Sequence, residues 1–231
     1  MTHRVLLADD HRMVREGLRA LLQAEPEIEV LGEACDGLGA LSLARQLRPD
    51  VVVADISMPG LNGIELVRRL RTELPDARVL SLSVHDEERL VLAMIEAGAA
   101  GYVLKDASFA DLANAIREVM AGRVYLSPAL VGIFVQQYRA RGEPRAARPV
   151  ALTGRERELV QLFSEGYSTS EIAELLHLSA KTVATHRENI LGKLQINGIA
   201  EMTRYALREG ISSLDVPCRQ RSGLGVHRPT T

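Results

Sequence analysis

Hydrophobic positions in the first 120 residues switch repeatedly between two periods. Val5–Ala8 and Val51–Ala54 are compact apolar runs, and Ile28–Ala34, Arg78–Ser83 and Tyr102–Leu104 read as further short strands. Arg12–Ala24, Leu38–Leu47, Ile64–Leu74, Glu87–Ala97 and Ala110–Ala121 instead carry apolar residues at helical spacing. Continuous apolar strands separated by amphipathic helices predict a parallel sheet covered on both faces. Beyond residue 120 the strand period disappears. Ser127–Tyr138 reads as one more helix, and Arg139–Val150, RARGEPRAARPV, has the composition of a flexible linker. Four helices follow, near residues 154–164, 169–176, 180–194 and 199–209. Thr153 with Glu156, and Ser168 with Glu171, have the spacing of capping boxes. Ser179 is a third N-cap candidate, and Gly166 stands where a helix C-terminus is needed.

Five βα units joined by right-handed crossovers predict a flavodoxin-like, doubly wound α/β sheet of strand order 2-1-3-4-5, with ligands at the carboxyl ends of the strands. The expected organisation is an α/β domain over residues 1–122, a linker helix and flexible linker over 123–149, an all-α domain over 150–214, and a disordered tail over 215–231.

Charge separates the two halves. Residues 1–120 hold 13 basic and 20 acidic side chains, whereas the remainder is net basic within a chain of formal charge −2. A basic second half is a candidate for polyanion binding. The longest apolar run, Ala97–Leu104, is far short of the roughly 18 residues needed to span a bilayer. No secretory leader pattern opens the chain, and Cys35 and Cys218 stand alone, so a cytoplasmic protein with free thiols and no membrane partner is expected.

Asp9 and Asp10 directly follow the first strand, and Asp55 follows the third. The predicted strand order makes those strands neighbours, so three carboxylates converge at one switch point. Their mutual repulsion is relieved by a divalent cation, and oxygen ligands suit Mg²⁺. Lys105 ends the fifth strand and Ser83 the fourth. A carboxylate beside a cation and a lysine is arranged to accept a phosphoryl group.

The stretches VLLADDHRMVREGL, VVVADISMPGLNGIEL, VLSLSVH and AGAAGYVLKDAS resemble the receiver domain of bacterial two-component response regulators. The resemblance implies that Asp55 is the phosphoacceptor, that Asp9, Asp10, Asp55 and the backbone carbonyl of Ser57 hold Mg²⁺, and that Lys105 pairs with the phosphoryl oxygens. It makes Ser83 the hydroxyl that moves toward the phosphoryl group and Tyr102 the aromatic switch. Ser57 and His85 match positions that tune phosphoryl lifetime.

In the basic half, Thr169–Leu178 and Ser179–Leu194 read as helix, turn and longer helix. At 100° per residue, Val183, Ile190 and Leu194 share one face, with Lys181, Thr185, Glu188 and Asn189 opposite. A buried stripe under a polar ridge suits a helix lying in a major groove. LTGREREL and EGYSTSEIAELLHLSAKTVATHRENILGKL resemble the LuxR/NarL type of helix-turn-helix. Candidate DNA contacts are Lys181, Thr182, Thr185, His186, Arg187 and Glu188. Relatives often carry Lys where this chain has Ala184, so a half-site borrowed from them does not transfer. Ile199–Arg208 matches the helix that pairs subunits on DNA.

The chain is thus identified as a NarL/FixJ-type response regulator. The expected partners are a histidine kinase, double-stranded DNA, a second copy of the chain on that DNA, and RNA polymerase. Phosphorylation would shift the surface of the fourth helix, fifth strand and fifth helix and free the DNA-binding domain to pair. No turnover is expected beyond self-phosphorylation and slow autodephosphorylation. The alternatives are an orphan regulator that works without phosphate and a haloacid-dehalogenase-like phosphatase. The second would want an Asp at position 57, where this chain has Ser57.

Overall fold

The computed structural model describes residues 2–84, 87–132 and 152–212. The proposed linker over 139–150, most of the helix expected at 127–138, His85, Cys218 and the tail lie outside the described residues.

Six parallel strands form one sheet in the order β2-β1-β3-β4-β5-β6. They are β1 (His3–Ala8), β2 (Ile28–Ala34), β3 (Val51–Ala54), β4 (Arg78–Ser83), β5 (Gly101–Leu104) and β6 (Tyr125–Leu126). Helices α1 (Arg12–Leu22), α2 (Gly37–Leu47), α3 (Gly63–Glu73), α4 (Glu88–Ala97) and α5 (Phe109–Met120) cover it. The alternating side chains of the strands feed two cores. Leu6, Val52 and Tyr102 join α2, α3 and α4 on one face, while Leu7, Val53 and Val103 join α5 and Leu22 of α1 on the other. Burial on both faces explains why β1 and β3 are apolar throughout rather than alternating.

A sixth strand, absent from the expected order, forms just ahead of the expected linker helix. Tyr125 and Leu126 pair with Gly101 and Tyr102, and Pro128–Leu130 forms a 3-10 turn after them. Ser127 donates its N–H to Tyr102 O at 2.9 Å, and its hydroxyl accepts the Leu104 N–H at 3.1 Å. Leu130 then plugs into the core that holds Tyr102. The open edge of β5 takes up a two-residue segment that carries no strand signal of its own, because unpaired edge N–H and C=O groups gain partners from it.

The helical part comprises α6 (Gly154–Ser164), α7 (Thr169–Leu175), α8 (Ala180–Leu194) and α9 (Ile199–Arg208). Its core is Leu159, Leu162, Phe163, Ile172, Val183, Ile190, Met202 and Ala206. Both expected capping boxes form, and Ser179 accepts the Thr182 N–H. Gly166 takes φ +87° just past α6. No helix among the described residues is long and apolar enough to cross a membrane.

The loop between β3 and α3 packs with no slack. A Cβ built on Gly37, the first residue of α2, would lie 1.8 Å from Leu61 O, and one on Gly63 would lie 2.3 Å from Asp55 O. Gly37→Ala must therefore push the loop away from α2. We expect it to lower the stability of the sheet domain by about 1–3 kcal/mol. Urea unfolding should show a lower midpoint with an unchanged slope. An unchanged midpoint would mean that the loop yields freely.

Candidate functional site

Asp9, Asp10 and Asp55 meet at the carboxyl ends of β1 and β3, as the strand order requires. The Asp9 and Asp55 side chains are each 4% exposed and that of Asp10 3%. Lys105, just past β5, lies 2.7 Å from Asp55 Oδ2 and 2.8 Å from Asp9 Oδ2. One ammonium therefore bridges two of the three carboxylates. Burial alone would lower the lysine's pKa, but Asp55 and Asp9 outweigh it and the net shift is upward.

The third carboxylate has a partner that sequence reasoning missed. His11 Nδ1 lies 2.7 Å from Asp10 Oδ1, and the His11 ring is about half exposed. Asp10 Oδ2 is nevertheless buried with no partner, and Asp10 Oδ1 and Asp9 Oδ2 have only the nearby His11 ring and Lys105 ammonium. Ligand atoms of Asp9, Asp10, His11 and Asp55 all fall within 4.8 Å of one another. Orphaned carboxylate oxygens in a concave cluster are what a hard divalent cation neutralises.

Asp55 Oδ1 turns the other way, toward its own loop. It accepts the Ile56 N–H at 2.6 Å and the Ser57 N–H at 3.4 Å. The phosphoacceptor candidate thus faces Lys105 with one oxygen and the backbone amides of the β3–α3 loop with the other. Ser83, ending β4, is fully buried, and so is Tyr102 of β5.

On α8, Lys181, Thr182, Thr185 and Glu188 are exposed above buried Val183 and Ile190. Thr185 donates its hydroxyl hydrogen to Lys181 O at 3.0 Å, which leaves its oxygen free to accept. His186 and Arg187 are half-buried. Arg187 places its guanidinium 5.8 Å above the Phe163 ring, and its Nε is buried without an acceptor. Arg187 is thus partly committed to the domain's own core, unlike the outward Lys181.

Sequence reading also missed how the two parts meet. Gln161 of α6 is 1% exposed. Its Nε2 donates to Met58 O and its Oε1 accepts the Asn62 N–H, both at 2.9 Å. Glu165 accepts the Gly60 N–H at 3.1 Å, and Asn62 Nδ2 donates to Ile211 O at 2.9 Å. Around this contact, Glu158 pairs with Arg69 at 2.8 Å, Arg157 pairs with Glu65 at 3.3 Å, and Arg89 of α4 holds Glu209 and Arg208 O. Helix α8 takes no part in these bonds. Nothing in the run LVQLF marks its Gln as an interface group, since polar residues on a helix ordinarily face water.

Residues 5–117 match the family described as "Response regulator receiver domain", and residues 150–206 match "Bacterial regulatory proteins, luxR family". Transcriptional regulatory protein LiaR of Bacillus subtilis is 42% identical over 205 residues, covering 89% of this chain and 97% of LiaR. A LuxR-family two-component response regulator of Aurantimonas sp. SI85-9A1 aligns with a TM-score of 0.58 and 39% identity, over 60% of this chain and 99% of that one. RcsB of Salmonella typhimurium aligns at 0.55 with 25% identity, over 88% and 97% of the two chains. RcsB has also been solved as dimers bound to DNA.

Burial raises the pKa of Asp10, His11 pulls it partly back, and Asp55 and Asp9 push it up again. A carboxyl whose pKa is raised by folding binds its proton more readily in the folded chain. It therefore costs stability at neutral pH, and the cost shrinks as pH falls toward the raised value. Without divalent cation at pH 7, Asp10→Asn should raise the melting temperature by about 2–4 °C. That advantage should fade on acidification. Calorimetry showing no gain at pH 7 would mean that His11 already neutralises the pocket.

Proposed function

The chain belongs to the two-component response regulators that join a receiver to a LuxR-type DNA-binding domain, and we propose that Asp55 accepts the phosphoryl group that controls its pairing on DNA. The family consists of transcription regulators rather than catalysts, and the receiver implies a histidine kinase as phosphoryl source. The observation that carries the reading is Lys105 bridging Asp55 and Asp9 beside the unpartnered Oδ2 of Asp10.

Asp9, Asp10, Asp55 and the Ser57 carbonyl would hold Mg²⁺, which supplies charge neutralisation for the incoming group. Asp55 attacks the phosphorus through a carboxylate oxygen, and the bond from phosphorus to the donor breaks as the new one forms. Lys105 then stays with the phosphoryl oxygens, and the loop amides of Ile56 and Ser57 stand ready to donate to them. Ser83 and Tyr102 adjust the neighbouring strands. We place the protein in the cytoplasm, with DNA, a second copy and RNA polymerase as later partners.

The contacts between the parts suggest what the resting form withholds. Its α8 ridge is exposed, so a single domain keeps access to DNA. The end of α9 and the residues after it are bonded to α3 and α4, which fixes one DNA-binding domain against its own receiver. A two-half-site operator needs two such domains at a set spacing. The block therefore falls on pairing rather than on recognition.

Asp55→Asn should take no label from a small phosphodonor with Mg²⁺, while the wild type forms an alkali-labile acyl phosphate. Equal labelling of both would move the acceptor elsewhere. Phosphorylation should tighten binding to a two-half-site operator at least tenfold and leave a single half-site nearly unchanged, as titrations at matched salt will show. Equal gains on both would point to a covered α8. Lys181→Ala should weaken binding to specific and random DNA alike, whereas Thr185→Ala should cost about 1–3 kcal/mol on the preferred sequence alone. Parallel losses would contradict that division.

A further inference from the structure

We infer that Gln161, on the DNA-binding domain, is a positioning residue for phosphoryl acceptance: it grips the β3–α3 loop, so that docking of the domain and cation and phosphoryl binding at Asp55 oppose one another. This rests on the reading of Asp55 as the acceptor.

The loop runs from Asp55 to Gly63 and does two jobs with one short backbone. At its start, Ile56 and Ser57 give their N–H groups to Asp55 Oδ1. A phosphoryl group on Asp55 would draw those amides to its oxygens, and the Ser57 carbonyl would help to hold a cation. Both demands reorient residues 56–58. One residue further on, Met58 O accepts from Gln161, then Gly60 N–H donates to Glu165 and Asn62 N–H donates back to Gln161. Three contacts, at alternate residues, with α6 and the residue that ends it therefore hold the segment that chemistry must move.

The loop cannot absorb the change internally. Gly63 N–H is bonded to Ile56 O at 2.8 Å, and Leu61 N–H to Pro59 O at 2.8 Å. Gly37 presses on Leu61 O and Gly63 on Asp55 O, at contacts that only glycine permits. A displacement at 56–58 is passed to 58–62, where the partners belong to the other domain. Asn62 extends the link, because its side chain caps α3 through the Glu65 N–H and also donates to Ile211 O. This route runs through neither Ser83 nor Tyr102. Linkage makes it reciprocal: whatever loosens docking must favour cation binding by the same factor.

Glu165 gives the opposite handle. Its carboxylate is largely shielded and makes no ion pair among the described residues, and burial pushes its pKa up. Glu165→Gln removes a half-buried charge that has no counter-ion among the described residues while keeping an acceptor for the Gly60 N–H and for Gln161 Nε2, so docking should tighten. Gln161→Leu removes the grip at Met58 and Asn62, so docking should loosen.

The test uses the full-length protein without phosphodonor, then with acetyl phosphate. Mn²⁺ affinity is read by electron paramagnetic resonance, and domain separation by small-angle X-ray scattering. Gln161→Leu should raise Mn²⁺ affinity and the initial rate of Asp55 labelling about fivefold and increase the radius of gyration. Glu165→Gln should shift both in the other direction and keep the molecule compact. Opposite shifts from two neighbouring substitutions are not what misfolding produces. Mn²⁺ affinities within twofold of wild type for both variants, while the radius of gyration changes for Gln161→Leu, would overturn the inference and leave Asp55 as acceptor intact. Absence of Asp55 labelling in every protein would overturn the acceptor reading instead, with the Mn²⁺ comparison still deciding the coupling.

Discussion

Three carboxylates and one ammonium share a buried corner of the sheet, and much else follows from that imbalance. The corner exists because β1 and β3 are neighbours whose ends point the same way, an outcome of parallel topology rather than of any local preference. Lys105 reaches it from β5, across β4, and satisfies two of the three acids. The residual negative charge makes the pocket responsive to added positive charge and to the further negative charge that a phosphoryl group on Asp55 would bring. A pocket that was neutral at rest would have little to report.

What receives the report lies close by. Asp55 spends one oxygen on the lysine and the other on the amides of the loop that follows it, so a change at Asp55 reaches the loop backbone as directly as it reaches Lys105. That loop is also the surface on which α6 sits. The ion pairs around the contact, Arg69 with Glu158 and Arg157 with Glu65, are partly shielded pairs whose net contribution is small while intact and whose disruption is costly. They favour one register of docking over others, whereas the polar bonds to the loop carry sensitivity to the pocket.

The sheet and the pocket were legible in the sequence because both depend on local signals. Apolar runs gave β1 to β5 within a residue or two, and hydroxyl residues three positions before an acid gave the starts of α6 and α7. Asp9, Asp10, Asp55 and Lys105 were readable as a group once the strand order was in hand. Three features were not readable. Tyr125–Leu126 is too short a run to signal a strand, and only the open edge of β5 makes one of it. His11 became a partner of Asp10 through a turn whose direction no periodicity encodes. Gln161 lies on a helix of unremarkable composition, and its importance is set by a loop about a hundred residues away in the chain.

The sixth strand also bears on how this receiver can be separated from its partner. The family match ends at residue 117, and composition suggests a boundary near 122, yet Tyr125, Leu126 and Ser127 supply hydrogen-bond partners for β5, and Leu130 fills part of the core around Tyr102. A receiver cut before them would carry a bare parallel edge and a cavity beside Tyr102. Such a fragment would be prone to associate edge to edge. Its pairing would then report the position of the cut and not the state of Asp55.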